Sequence, residues 1–155
     1  MFEPGGATEI DGRRLSWRSV GTGPPLLLVN GYAATAADWD PAALSALAES
    51  FEVVCPDNRG VGGSQLGDPA ELTIDSMAAD LEALLDALEI ERAPVAGWSM
   101  GGFAVQRLAV RAPHRIERWR CSRPTPAAAR RSRPTPRSGP GSSTTPAPRE
   151  SRRAG

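Results

Sequence analysis

Apolar residues fall in short blocks over the first 118 positions and then stop. "PPLLLVNG" (24–31) and "FEVVCPDNRG" (51–60) are continuous apolar runs bounded by turn residues, which predicts strands buried on both faces. "ATEIDGRRLSWRSVGTG" (7–23) alternates loosely around Asp11-Gly12, the pattern of a hairpin. "DPAALSALAES" (40–50) reads as a helix, with Asp40 as its N-cap and Pro41 at its first position. In "TIDSMAADLEALLDALEI" (73–90), Ile74, Met77, Leu81, Leu84, Leu85 and Leu88 recur at three- and four-residue steps and form one helical stripe. Asp75, Asp80, Glu82, Asp86 and Glu89 fall mostly off that stripe and predict a solvated face. "APVAGWS" (93–99) is a short strand ending on a serine, and "GGFAVQRLAVRAP" (101–113) is a helix closed by Pro113. After the opening hairpin, strands and helices alternate, which implies an α/β fold with a mostly parallel sheet and flanking helices. A further strand is due after Pro113, but "RIERWRCSRPTP" supplies only Ile116.

Composition divides the chain at the same place. The zero net charge over 155 residues averages two unlike parts. Residues 1–118 carry nine Arg against seventeen Asp and Glu, a charge of −8; residues 119–155 carry nine Arg and one Glu, a charge of +8. The second part has seven Pro and no Leu, Ile, Val, Phe or Met. We therefore expect a folded part over 1–118 and a disordered Arg/Pro/Ser-rich tail over 119–155, because such a tail cannot offset the entropy of ordering. There is no lysine; the abundance of Arg, Ala, Gly and Pro fits GC-rich coding DNA. Cys55 and Cys121 make no disulfide framework, and Cys55 in its apolar run reads as a buried thiol. No signal peptide or membrane span is expected, so the default is a cytoplasmic protein without membrane contact. No metal site or cofactor is expected, and nothing fixes the oligomeric state.

The chemistry centres on "GWSMGG" (97–102). A serine in G-x-S-x-G, with a strand before and a helix after, stands on a sharp turn that lifts its hydroxyl above the sheet edge. Small residues are needed at Gly97 and Gly101, where side chains would collide with neighbouring elements. The helix N-terminus behind Ser99 favours negative charge developing on a reacting oxygen. Ser99 is the candidate nucleophile. Acyl transfer also needs two N–H donors for the oxyanion: the Met100 amide follows the serine, and the Tyr32 amide, in the loop shaped by Asn30 and Gly31, is the natural second. "DNRGVGGS" (57–64) is a tight loop at a strand end. Its role reads as structural, with Arg59 pairing a carboxylate such as Asp57 and Ser64 bonding the backbone. With no lysine and no helix directly behind it, it does not read as a phosphate cradle.

Taken together, "NGY", "DNRGVGGS" and "GWSMGG" in this order resemble the α/β-hydrolase family over residues 7 to about 118. "NGY" stands where the family usually has His-Gly and an oxyanion residue, "DNRGVGGS" matches its Asp-x-Arg-Gly-x-Gly-x-Ser loop, and "APHRIER" looks like its link into a sixth strand. The resemblance implies an eight-stranded, mostly parallel sheet and a Ser–Asp–His triad in that chain order. It also implies esterase, lactonase, peroxidase-like or related acyl chemistry on a small ester-like molecule. Asn30 replaces the usual His, which is not the catalytic one. The strands present would lie in the order 1-2-4-3-5, a truncated α/β-hydrolase fold whose open edge beyond the fifth strand is an aggregation hazard.

The triad acid and histidine should come after later strands. The single histidine, His114, lies beyond a helix about 12 residues long, roughly 18 Å from the serine, so it is not expected to act as the base. The chain is therefore expected to be inactive or nearly so. GC-rich codons for Arg118 to Pro126, read one frame over, can encode Leu-Ala-Val-Leu-Ser-Thr-Asp-Pro, an apolar strand where one is due. This suggests a frameshift near Arg118 and an out-of-frame 119–155. The alternative is a non-catalytic interaction protein whose basic arm touches nucleic acid or acidic partners. Trp119 is the arm's only aromatic, so it offers no stacking series and nucleic acid is the weaker expectation.

Overall fold

The computed structural model describes residues 5–122. The tail expected over 119–155 lies outside the described residues from position 123 onward.

The chain opens with β1 (Gly6–Ile10) and β2 (Arg13–Val20), paired antiparallel. Asp11 (φ 50°) and Gly12 (φ 71°) form the two-residue turn, whose left-handed backbone matches the twist of the strands it joins. β3 (Pro25–Val29), β4 (Glu52–Pro56) and β5 (Ala93–Trp98) follow as the parallel centre. α1 (Pro41–Ala48) follows β3, α2 (Ile74–Ala87) follows β4 and α3 (Met100–Arg111) follows β5. Asp40 caps α1 as its sequence predicts, accepting from the Ala42 and Ala43 amides at 2.8 and 3.1 Å. Thr73 caps α2 reciprocally with Ser76. Among the described residues no helix is long and apolar enough to cross a membrane.

The sheet order is β1-β2-β4-β3-β5-β6. It contains the expected 1-2-4-3-5 and adds β6 (Ile116–Ser122), parallel to β5 with Trp98 opposite Ser122. The folded part thus runs past the expected boundary at Arg118, and among the described residues the open edge belongs to β6. The composition hid this strand because only Ile116 is buried; its other six residues are exposed. Backbone pairing to β5 holds it, with little side-chain burial.

The continuous apolar runs are explained by burial on both faces. Leu27, Val29, Val54 and Val95 meet α2 and α3 on one side, through Leu81, Leu84, Leu85, Val105 and Leu108. Leu26, Leu28, Val53 and Cys55 meet α1 on the other through Leu44.

Most acidic residues of α2 lie on the expected solvated face; Asp80 departs from it. Asp80 is buried, 4% exposed. It receives a bidentate fork from Arg59, Nε to Oδ2 and Nη2 to Oδ1, both 2.8 Å, and a third bond from Arg13 Nη2 at 2.8 Å. Asp75, Glu82 and Asp86 pair with Arg107, Arg111 and Arg115, a ladder along the solvent side of the α2–α3 contact.

These two sets of ion pairs differ in worth. Asp80→Ala strands two guanidinium groups, one of them buried, and should cost about 3–5 kcal/mol. Asp75→Ala breaks an exposed pair and should cost less than about 1 kcal/mol. Urea denaturation of both variants beside the parent chain checks the contrast; equal midpoints for the two would refute it.

Candidate active site

β5 ends at Trp98 and α3 begins at Met100, so the whole reversal falls on Ser99, with φ 52° and ψ −118°. A side-chain-bearing residue at such a φ is strained and must be held there by its surroundings. The surroundings are backbone. A Cβ on Gly97 would lie 2.5 Å from the Gly101 carbonyl oxygen, and one on Gly101 would collide with the carbonyl oxygens of Val29 and Asn30. Both glycines are therefore required by contact, as the motif reading expects. The Ser99 amide donates to Ser122 O at 2.9 Å, so β6 anchors the same turn.

The loop after β3 lies against this turn. A Cβ on Gly31 would sit 3.2 Å from Ser99 Cβ, tighter than ordinary contact. Asn30 is buried and closes the loop from inside. Its Oδ1 accepts from the Gly31 amide at 2.8 Å, and its Nδ2 donates to Thr35 O at 3.0 Å. Asn58 Nδ2 donates to Asn30 O at 2.8 Å and ties the loop after β4 to it. Tyr32 follows, 81% exposed. Met100 is the first residue of α3, whose N-terminus has no side-chain cap. The first amides of a helix have no partner within it. Ser99, Met100 and the Gly31–Tyr32 segment thus come together at the carboxyl ends of β3 and β5.

One placement corrects the sequence reading. Arg59 does not pair with Asp57; its partner is Asp80, which raises the guanidinium's affinity for its proton through that hydrogen bond, against the opposing effect of burial. Asp57 is occupied otherwise, accepting from the Ala36 amide at 2.9 Å and the Gly63 amide at 3.0 Å. Ser64 bonds the backbone, donating to Asp57 O at 2.7 Å and accepting from the Ser16 amide at 2.9 Å. Asp80 is the residue the sequence reading missed. Its signal was available: position 80 lies between the stripe positions Met77 and Leu84, three and four residues away, where a charge must find a partner.

His114 sits in the short 3-10 turn Pro113–Arg115, past the far end of α3. Among the described residues no cluster of His, Cys, Asp and Glu could hold a metal ion. Cys55 is fully buried. Desolvation, with a smaller push from Asp57, raises its thiol to about 12. Cys121 is exposed, and its sulfur donates to Gly102 O at 3.1 Å.

Because Cys55 stays protonated through neutral and mildly alkaline pH, a thiol reagent at pH 8 should modify Cys121 and leave Cys55 untouched until the chain unfolds. Peptide mapping after labelling checks this; fast labelling of Cys55 in the folded chain would contradict its burial. Gly101→Ala should destabilise by at least about 1–3 kcal/mol, because the new methyl has only backbone to displace. Thermal unfolding measures it.

The family model for the alpha/beta hydrolase fold matches residues 24–131. BpoC of Mycobacterium tuberculosis, which carries the name non-heme bromoperoxidase, is 35% identical over 103 residues, covering 66% of this chain and 38% of that protein. A crystal structure of a hydrolase from Pseudomonas aeruginosa superimposes with a TM-score of 0.69 at 38% identity, over 81% of this chain and 49% of the other. The enol-lactonase of Burkholderia xenovorans gives 0.69 at 33% identity, over 74% and 45%. The chain spans less than half the length of these relatives. With the family model matched over most of its length, the chain belongs to the α/β-hydrolase family.

Proposed function

We propose that this chain carries the nucleophile half of an ester-class acyl hydrolase. Ser99 is the attacking nucleophile, and the amides of Tyr32 and Met100 are the oxyanion donors. The observation that carries the reading is the turn at Ser99. A non-glycine residue is held at φ 52° by glycines that cannot take a Cβ, at the uncapped N-terminus of α3. A strand-to-helix turn of this kind, in G-x-S-x-G, is where a serine nucleophile stands clear of the sheet edge. The enol-lactonase name of one neighbour fits a small cyclic or linear ester as the substrate of a full-length parent.

On this reading the chain alone turns over little or nothing. A general base must come within about 3 Å of the serine hydroxyl. His114 is the chain's one histidine, and the 12 residues of α3 separate it from Ser99. An unassisted serine is a weak nucleophile. We also infer that the residues from Trp119 onward are out of frame. Trp119 and Arg120 lie opposite Val95 and Ala96 in the register, yet they are exposed. A parallel strand inside such a sheet is ordinarily apolar on both faces, which is the character of the alternative frame.

Purified chain and its Ser99→Ala variant should hydrolyse p-nitrophenyl acetate at the same background rate. A Ser99-dependent rate would mean that a base reaches the serine and would overturn the inactive reading. A fluorophosphonate should still label Ser99 slowly, at a rate well above that of the other serines, because the oxyanion donors act without the base. Labelling no faster than at other serines would remove Ser99 as nucleophile. Independent sequencing of the DNA around codon 118 tests the frame, and an intact frame would end that inference.

A further inference from the structure

A second feature opens beside the nucleophile turn. The loop after β3, the loop after β4 and the first turns of α2 and α3 enclose a cavity of about 550 Å³, within the range of small-molecule sites. Val61, Leu66, Ile74 and Met77 line it, with exposed Leu72 and Tyr32 and with Met100 beside them. The one charged side chain lining it is Arg59, whose Nε and Nη2 are bonded to Asp80 and whose Nη1 lies 4.0 Å from Glu71. Thr73, also in the wall, uses its hydroxyl oxygen to accept from the Ser76 amide. The walls are therefore mainly apolar, and the Arg59 and Thr73 side chains in them already have partners within the protein. A carboxylate or ammonium entering here would lose its hydration without a partner, whereas an apolar group would shed water at no such cost.

We propose that this cavity is a substrate subsite for an uncharged apolar group, a short alkyl chain or a single aromatic ring, attached to the bond that Ser99 attacks. Its catalytic meaning rests on reading Ser99 as the nucleophile; its capacity to bind does not. All of its walls come from residues 32–100, so this half of the fold holds that part of substrate recognition by itself.

The test uses the full chain and the uncharged fluorescent probe N-phenyl-1-naphthylamine. Saturable binding is expected, weakened at least tenfold by Val61→Asp in the wall and by Leu72→Asp at the rim. Leu72 is 45% exposed, so a charge there does not burden the fold; circular dichroism monitors both variants. Val110→Asp, on the outer face of α3 at 72% exposed, should leave binding unchanged. Octanol should displace the probe at concentrations at least tenfold below octanoate. Binding indifferent to both cavity variants, or lost in Val110→Asp, would overturn the subsite. Displacement by octanoate equal to that by octanol would overturn its selectivity for uncharged groups. Failure of the nucleophile reading looks different: Ser99 would escape the fluorophosphonate while probe binding kept its dependence on Val61 and Leu72.

Discussion

The fold turns on how near the first turn of α3 comes to the sheet. Gly101 lies against the carbonyl oxygens of Val29 and Asn30, and Gly97 against the backbone of Gly101 and Gly102. No side chain fits in either gap. That approach leaves one residue, Ser99, to reverse the chain between β5 and α3, so the positive φ is imposed by packing. It also fixes what α3 can bury: Ala104, Val105 and Leu108 face the sheet, and α2 packs alongside with its acids in register with Arg107, Arg111 and Arg115. The strain at Ser99 and the tightness of the core beneath it have the same cause.

Two buried carboxylates then set the loops above the strands. Asp57 bridges the amides of Ala36 and Gly63, joining the segments after β3 and β4. Asp80 gathers Arg59 from the β4 loop and Arg13 from β2 onto α2. Desolvating such charges is costly, and apolar replacements of similar size often stabilise as well. Here the two carboxylates place specific loops: the same segments supply Tyr32 beside Ser99 and Val61 and Leu66 in the cavity wall.

The main elements were legible because each buried strand and amphipathic helix repeats its burial in the sequence. Leu26 to Val29 is apolar at every position because both faces are covered, and the stripe from Met77 to Leu88 repeats at the helical period. The motif glycines were legible because contact leaves no alternative to them. What escaped was set by tertiary partners. Proximity suggested Asp57 for Arg59, but two amides already fill that carboxylate, and the partner comes from 21 residues away on α2. Asp80 was hidden among other acids, although its place beside Met77 and Leu84 marks it as inward-facing. β6 escaped because hydrophobic pattern detects burial, and a strand with six exposed residues shows none.

That last strand also bears on whether the open edge is a hazard. An exposed edge invites pairing with a second copy, and β6 presents one. Its sequence works against the pairing. Antiparallel copies must oppose residues that point to the same face, so a two-fold pair of these strands centres on a residue rather than between two. Centred on Trp119, the pairing sets Arg118 against Arg120 twice. Centred on Arg118 or Arg120, it sets that arginine against itself. All three central registers bring guanidinium groups directly opposite, where like charges destabilise a pair. The residues that make β6 a poor interior strand thus make it a guarded edge, and the Ser99 turn that its Ser122 carbonyl anchors is held beside an edge that resists its own copy.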